Sequence, residues 1–380
     1  VDYDVIVVGG GPVGASLARA ANGQAVALLA PARRILKPVQ EGVFDSRVYA
    51  LSPANVSFLQ AIGVWPAIPQ ARLAPVRAMR VFGDDGASCI EFDAYRAGVP
   101  ELAWIVEDAA LQDALWQGLD AQTGDLEEIR ILEKCARITL RDGRSLEGRL
   151  VVGADGANSL VRRAAGIAAA ESDYGQSAIV ANFGCGKPHR DTAYQWFQRG
   201  PVLALLPLPG AQVSMVWSLP TAQAERVLRL DPGTLCREVE TASRGALGAL
   251  TLSAPPRGYP LKRLSARRLV APRVALAGDA GHVIHPLAGQ GLNLGLQDVR
   301  ELAAVLARRD EGRDPGDLRL LRRYERARAE PILAMNIAVG GLFTLFGGNS
   351  EGATRLRNAG LNLADRVPVL KNLLIRQAMS

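Results

Sequence analysis

Histidine is nearly missing from this chain: three residues, at 189, 282 and 285, among 380. A metal centre built on imidazoles is therefore not expected. Cysteine is almost as scarce. The four, at 89, 135, 185 and 236, form no C-x-x-C pair. That spacing argues against both a zinc site and a disulfide framework, and for thiols kept in a reducing cytosol. Aromatic residues make up only 5%, too few for a base-stacking surface, so no nucleic-acid partner is expected. Long hydrophobic runs are absent too. The longest, residues 332–346, is interrupted by Asn336 and by Gly340 and Gly341, and a spanning helix needs ~20 residues. The chain opens on a strand-like run, residues 3–8, so a secretory leader is not expected. The resulting expectation is a cytoplasmic protein, with peripheral contact at the inner face of a membrane left open.

What is present is ordinary globular material. Hydrophobic residues make up 48% and charged residues 22%, and 380 residues exceed the usual single domain, so two domains are expected. Lys and Arg number 44 against 38 Asp and Glu, for a net charge of +6 without a basic run. That excess suits phosphates or an anionic membrane surface, and equally a plain solvated surface.

The opening reads strand, glycine turn, helix, strand, over residues 3–29. Residues 107–119 read as helix, and a hairpin centres on Asp142-Gly143. From residue 177 to 220, short strand-like runs separated by Gly and Pro read as an antiparallel sheet. A nucleotide-type strand and glycine loop return at residues 274–291, followed by mainly helical sequence. The fold class is thus α/β: a Rossmann-like domain assembled from residues 1–75, 98–176 and 260–310. An antiparallel sheet domain (76–97 and 177–259) is inserted, and a helical region (311–380) follows.

Three motifs carry the chemistry. In Gly9-Gly10-Gly11-Pro12-Val13-Gly14, Gly9 and Gly11 allow a sharp turn against a pyrophosphate, and Gly14 lets the next helix lie close to the strand. A purely structural glycine turn is the alternative. The acid that a dinucleotide fold places at the end of its second strand is missing: Ala30 stands there, followed by Arg33 and Arg34, which offer charge to a phosphate. The second motif, residues 151–162, sets Asp155 and Gly156 at a strand-to-helix turn, where a helix cap is the alternative reading. The third, residues 277–295, holds Asp279, His282, His285, Pro286, Gly289, Gln290, Gly291, Leu292 and Asn293. There an acid ends a strand, and a glycine-rich turn presents backbone donors at a helix start, suited to negative charge on a reduced flavin ring.

In this order the motifs resemble the FAD-dependent aromatic hydroxylases of the para-hydroxybenzoate hydroxylase fold. More narrowly, the chain is similar to the ubiquinone-biosynthesis hydroxylases, through residues 44–52, 59–65, 106–112, 278–298, 324–328 and 367–379. The resemblance implies that Gly9, Gly11 and Gly14 face the FAD pyrophosphate, with Arg33 available to a phosphate. Arg47 and Gln112 would reach the pyrophosphate and ribityl region, Asp279 the ribityl chain, and Asp155 the cofactor and hydride-donor region. Pro286 would line the flavin face, and Gly289, Gly291, Leu292 and Asn293 would meet the ring. It implies dioxygen as co-substrate, a transient NADH or NADPH donor or another reductant, and hydroxylation of a polyprenylated phenol through a flavin hydroperoxide. Other ubiquinone-biosynthesis proteins or a lipid carrier are the partners it suggests. Asp108-Ala109 departs from the Asn-Arg pair common in the family, as Ala30 departs from its acid.

The chemistry is the flavin's, so no catalytic side chain is named. His285, Pro286 and Trp217 are pocket candidates, although for both His282 and His285 a packed, hydrogen-bonded loop residue is the plainer reading. Met215, Val216 and Trp217, with Leu206 and Pro207, suit a prenylated ring as well as they suit ordinary sheet core. The rival functions are a hydroxylase of small soluble phenols, a flavin reductase of isoprenoid double bonds, and an FAD-poor scaffold in a quinone-biosynthetic complex. Ala30 favours the scaffold, and the intact loop 278–295 opposes it.

Overall fold

The apolar run Tyr3–Val8 forms a central strand because both of its faces are covered, as parallel sheets require. It pairs in parallel with Ser145–Gly153 on one side and Val26–Ala30 on the other. The strand order across this sheet is 270–271, 274–276, 145–153, 3–8, 26–30, 121–123. Alternation decides which side chain goes where. Val5, Val7, Leu28, Leu150 and Val152 share a core with helices Pro12–Ala20, Asp108–Trp116, Gln290–Ala307 and the start of Leu318–Gly347. Ile6, Val8, Ala27, Leu29 and Val151 pack on the other face with Ile138, Leu140 and Leu146 of the hairpin around Asp142-Gly143. The computed structural model describes residues 1–21, 23–32, 42–85, 88–198, 200–285 and 290–347.

A second sheet has the order 282–283, 257–266, 169–185, 212–220, 202–208, 192–197, 78–82, 89–93. All its pairings are antiparallel except 192–197 with 78–82. Its strand Ala169–Cys185 starts before the residue-177 boundary read from the sequence, and Arg257–Ala266 runs past residue 259. One ladder between these two strands, irregular between Asp173 and Ser177, therefore joins the sheet to the nucleotide-type region. A small antiparallel sheet, Val48–Leu51, Ala103–Glu107 and Leu73–Val76, lies between the two. Leu320, Leu321 and Tyr324 of the last helix are buried in the first core, so residues 318–324 are part of it.

Candidate active site

Parallel strands bring their carboxyl ends to one edge, and here that edge opens on a cavity of about 1510 Å³ walled by all three sheets. A pocket for one small ligand spans roughly 300–1,000 Å³, so there is room for two.

At the first strand end, Gly9 has φ +116°, and a Cβ on it would lie 2.2 Å from the Ala154 carbonyl oxygen. A Cβ on Gly14 would lie 1.9 Å from the Gly9 oxygen. Both glycines are thus required by the packing of strand, turn and helix. Gly11 differs. Nothing lies within 4 Å of where its Cβ would be, and it lines the cavity. The helix that follows has Pro12 in its first turn, no acidic residue there and no side-chain cap, which leaves its positive end open to an anion.

Deeper in, Arg47 lies 5.5 Å from the centre of the Tyr49 ring. Tyr49 Oη donates to Asp108 Oδ1 at 2.8 Å, and Gln112 Nε2 donates to the same oxygen at 3.1 Å. Burial works against the Arg47 charge, but Tyr49, Asp108 and Asp279 more than offset it, and its pKa is raised. Asp279 follows Gly278, whose φ is +60°, at the end of strand Val274–Leu276. Its carboxyl is open to the cavity yet ringed by protein. Desolvation raises its pKa, with His282 and Arg47 pulling the other way. It makes no hydrogen bond or ion pair among the described residues.

Behind Asp279, buried Asp298 fixes the loop. It accepts from Gly278 N at 2.9 Å, His282 Nε2 at 2.6 Å and Arg328 Nε at 2.7 Å. Burial alone would raise its pKa, but His282, Arg328 and the Gly278 amide bring it below the ordinary value. Asn293 is a second fastener. Its Oδ1 accepts from Ser52 N and Asn55 Nδ2, both at 2.9 Å, and its Nδ2 donates to the Ala50 carbonyl at 2.7 Å. Asp155 Oδ2 accepts from Leu160 N at 2.7 Å, capping helix Leu160–Ala164, while its buried Oδ1 has no partner among the described residues.

The second sheet roofs the cavity with one parity of its strands: Ala178, Val180, Ala204, Leu206 and Val216. The other parity, Ile179, Ala181, Leu205, Met215 and Trp217, is buried against helices Thr221–Leu228 and Pro232–Ala242.

This chain is 34% identical to the 3-demethoxyubiquinol 3-hydroxylase of Escherichia coli, over 99% of this chain and 98% of that one. It is 30% identical to the human ubiquinone biosynthesis monooxygenase COQ6, covering 98% and 92%. A family model described as an FAD binding domain matches residues 2–336. The chain belongs to the FAD-binding-domain family, among the ubiquinone-biosynthesis hydroxylases. In shape, Pseudomonas aeruginosa PqsL matches with a TM-score of 0.78 at 25% identity, covering 95% of this chain and 99% of that one. Klebsiella pneumoniae HpxO, complexed with FAD and uric acid, shares the fold at 20% identity and a TM-score of 0.77, covering 99% and 96%.

The residues of this FAD-dependent monooxygenase fit its cofactor. The open space beside Gly11, and the Asp155 oxygen and Asp279 carboxyl that have no partner among the described residues, line one cavity with Arg47 and Gln112. Gly11 and the helix start would hold the pyrophosphate, Arg47 and Gln112 its neighbourhood, and Asp279 the hydroxyls of the ribityl chain. Gly291, Leu292 and Asn293 also line the cavity, but the Asn293 side chain is spent on the 50–55 segment.

Three expectations are corrected by the structure. Trp217 is no pocket residue: it shares parity with Met215 and points away from the cavity, into the core between the roof and its covering helices. Met215 goes with it, leaving Val216 and Leu206 on the cavity side. His285 is buried away from the cavity wall, its Nε2 3.2 Å from Gln176 Oε1 and its ring edge-on to Tyr174 at 4.8 Å. His282 is a packed loop residue, held by Asp298. Arg33, Arg34, Pro286, Gly289 and the motif at 367–379 lie outside the described residues. Sequence reasoning missed Tyr49, Asn55, Asp298 and Arg328. For Asp298 a signal existed, a lone acid on the apolar face of helix Gln290–Ala307, although its partners could not be read from it.

Proposed function

We propose that this monooxygenase hydroxylates the ring of a phenol or quinol precursor of ubiquinone that carries a long apolar tail. The observation that carries this reading is the roof. Strands 78–82, 89–93, 192–197, 202–208 and 212–220 send no charged side chain into the cavity. The apolar wall continues through Val81, Ile90 and Phe197 into a cluster that Met335 of the last helix joins. When bound, FAD supplies the redox chemistry and the activation of dioxygen, with a nicotinamide donor visiting transiently. The protein's own work is to hold that cofactor at Gly11, Arg47 and Asp279, to orient the ring under Val180, Leu206 and Val216, and to keep water out.

Such a substrate resides in a membrane or on a lipid-binding partner. Leu333 and Ile337, 60% and 65% exposed on the same helix as Met335, support an approach from a lipid surface. The test is turnover of a prenylated phenol against the same phenol without its tail, both at limiting concentration. Each buried CH₂ contributes ~0.8 kcal/mol, so even a short tail should raise kcat/KM by orders of magnitude. Equal turnover of the two would favour the hydroxylase of small soluble phenols.

A further inference from the structure

The end of the cavity beside Ala30 lacks the carboxylate that a dinucleotide fold uses to accept the ribose hydroxyls of adenosine. The neighbouring strand brings one. Ala121–Thr123 pairs in parallel with Val26–Ala30, placing Thr123 opposite Ala30, and Gly124 N donates to the Ala30 carbonyl at 3.1 Å. The next residue, Asp125, lines the same cavity as Ala30 and Pro31. Its backbone is pinned on both sides. Arg144 Nη2 donates to the Thr123 carbonyl at 2.5 Å, and Arg141 N donates to the Asp125 carbonyl at 2.9 Å. Its carboxylate makes no hydrogen bond or ion pair among the described residues. Neighbouring strands lie about 4.8 Å apart, so a side chain just past the end of one strand reaches the space beyond the end of the next.

We propose that Asp125 is the acceptor for the adenosine half of FAD, replacing the acid missing at position 30 with one carried by the adjacent strand. The proposal rests on the FAD assignment and adds a residue to it. The backbone that carries this carboxylate is already held, so only the side chain is ordered on binding, and hydrogen bonds to charged groups are the strong ones.

The test is calorimetric titration of the full chain, freed of flavin, with FAD, alongside the thermal midpoint of the flavin-free protein. Asp125→Ala should raise the Kd for FAD about tenfold or more and leave that midpoint unchanged. Ala30→Glu in the Asp125→Ala background should restore most of the affinity, because the acid returns to the same end of the cavity. An unchanged Kd in Asp125→Ala overturns the proposal. So does a loss of affinity that comes with a lower midpoint, or one that Ala30→Glu leaves unrepaired. Wild-type protein that takes up no FAD would instead sink the cofactor assignment itself.

Discussion

Asp279 and His285 lie six residues apart on one loop, and their surroundings give them opposite duties. Asp279 is turned to the cavity with its hydrogen-bonding capacity unspent. Charge-assisted bonds of this kind contribute ~1.5–3 kcal/mol each, so Asp279→Ala should weaken FAD binding roughly ten- to a hundredfold. A titration showing wild-type affinity would remove Asp279 from the cofactor site. His285 is turned inward, and burial pushes its pKa from the ordinary 6.5 down to about 4. As pH falls below 6.5 the unfolded chain takes up a proton that the folded form refuses until about 4. Folding stability is therefore complete above that window and declines by about 1 kcal/mol per pH unit on descending through it. Urea unfolding at pH 7, 6 and 5 should show the decline in wild type and a shallower one in His285→Gln. Identical slopes would mean that the imidazole protonates in place.

At the scale of elements, the flavin loop is held by pairings between segments far apart in the chain. The Asp298 carboxylate, on helix Gln290–Ala307, ties the loop at Gly278 and His282 to Arg328 on the last helix. Breaking a buried pair strands a charge in a low-dielectric interior, at about 3–5 kcal/mol. Arg328→Ala should therefore lower unfolding free energy by that amount, with Asp298 0% exposed and unable to recover water. A loss under 1 kcal/mol, read from the denaturant midpoint at constant slope, would show that His282 alone satisfies the carboxylate. The Asn293 bonds to Ser52, Asn55 and Ala50 do the same work without charge, joining the flavin loop to the small sheet.

For the whole molecule, the cavity is the common boundary of three sheets, so a ligand filling it bears on all of them. The ladder between Ala169–Cys185 and Arg257–Ala266 runs from the nucleotide-type region into the roof, with one irregularity between Asp173 and Ser177. Calorimetry should accordingly give one unfolding transition that FAD moves upward as a unit. At a free concentration 100 times Kd the stabilisation is about 2.7 kcal/mol. Two separate transitions, only one of them shifted by FAD, would show that the roof unfolds independently of the nucleotide-type sheet.

The sequence by itself determined the glycine turn at 9–14, the hairpin at Asp142-Gly143 and the acid-then-glycine loop at 277–281. In each case the chemistry is local: a backbone conformation or a close approach that only particular residues permit within a few positions. Composition likewise made an imidazole-built metal site and a spanning helix unexpected. Tertiary structure alone decided which parity of the roof strands faces the cavity. Residues 215 and 217 differ from 216 only by the pleat, and the helices that cover one face are assigned to it by packing. It also decided the partners of Asp298 and Asn293. Those partners lie on other strands and helices, and a buried acid announces that it needs a partner without naming which distant residue supplies it.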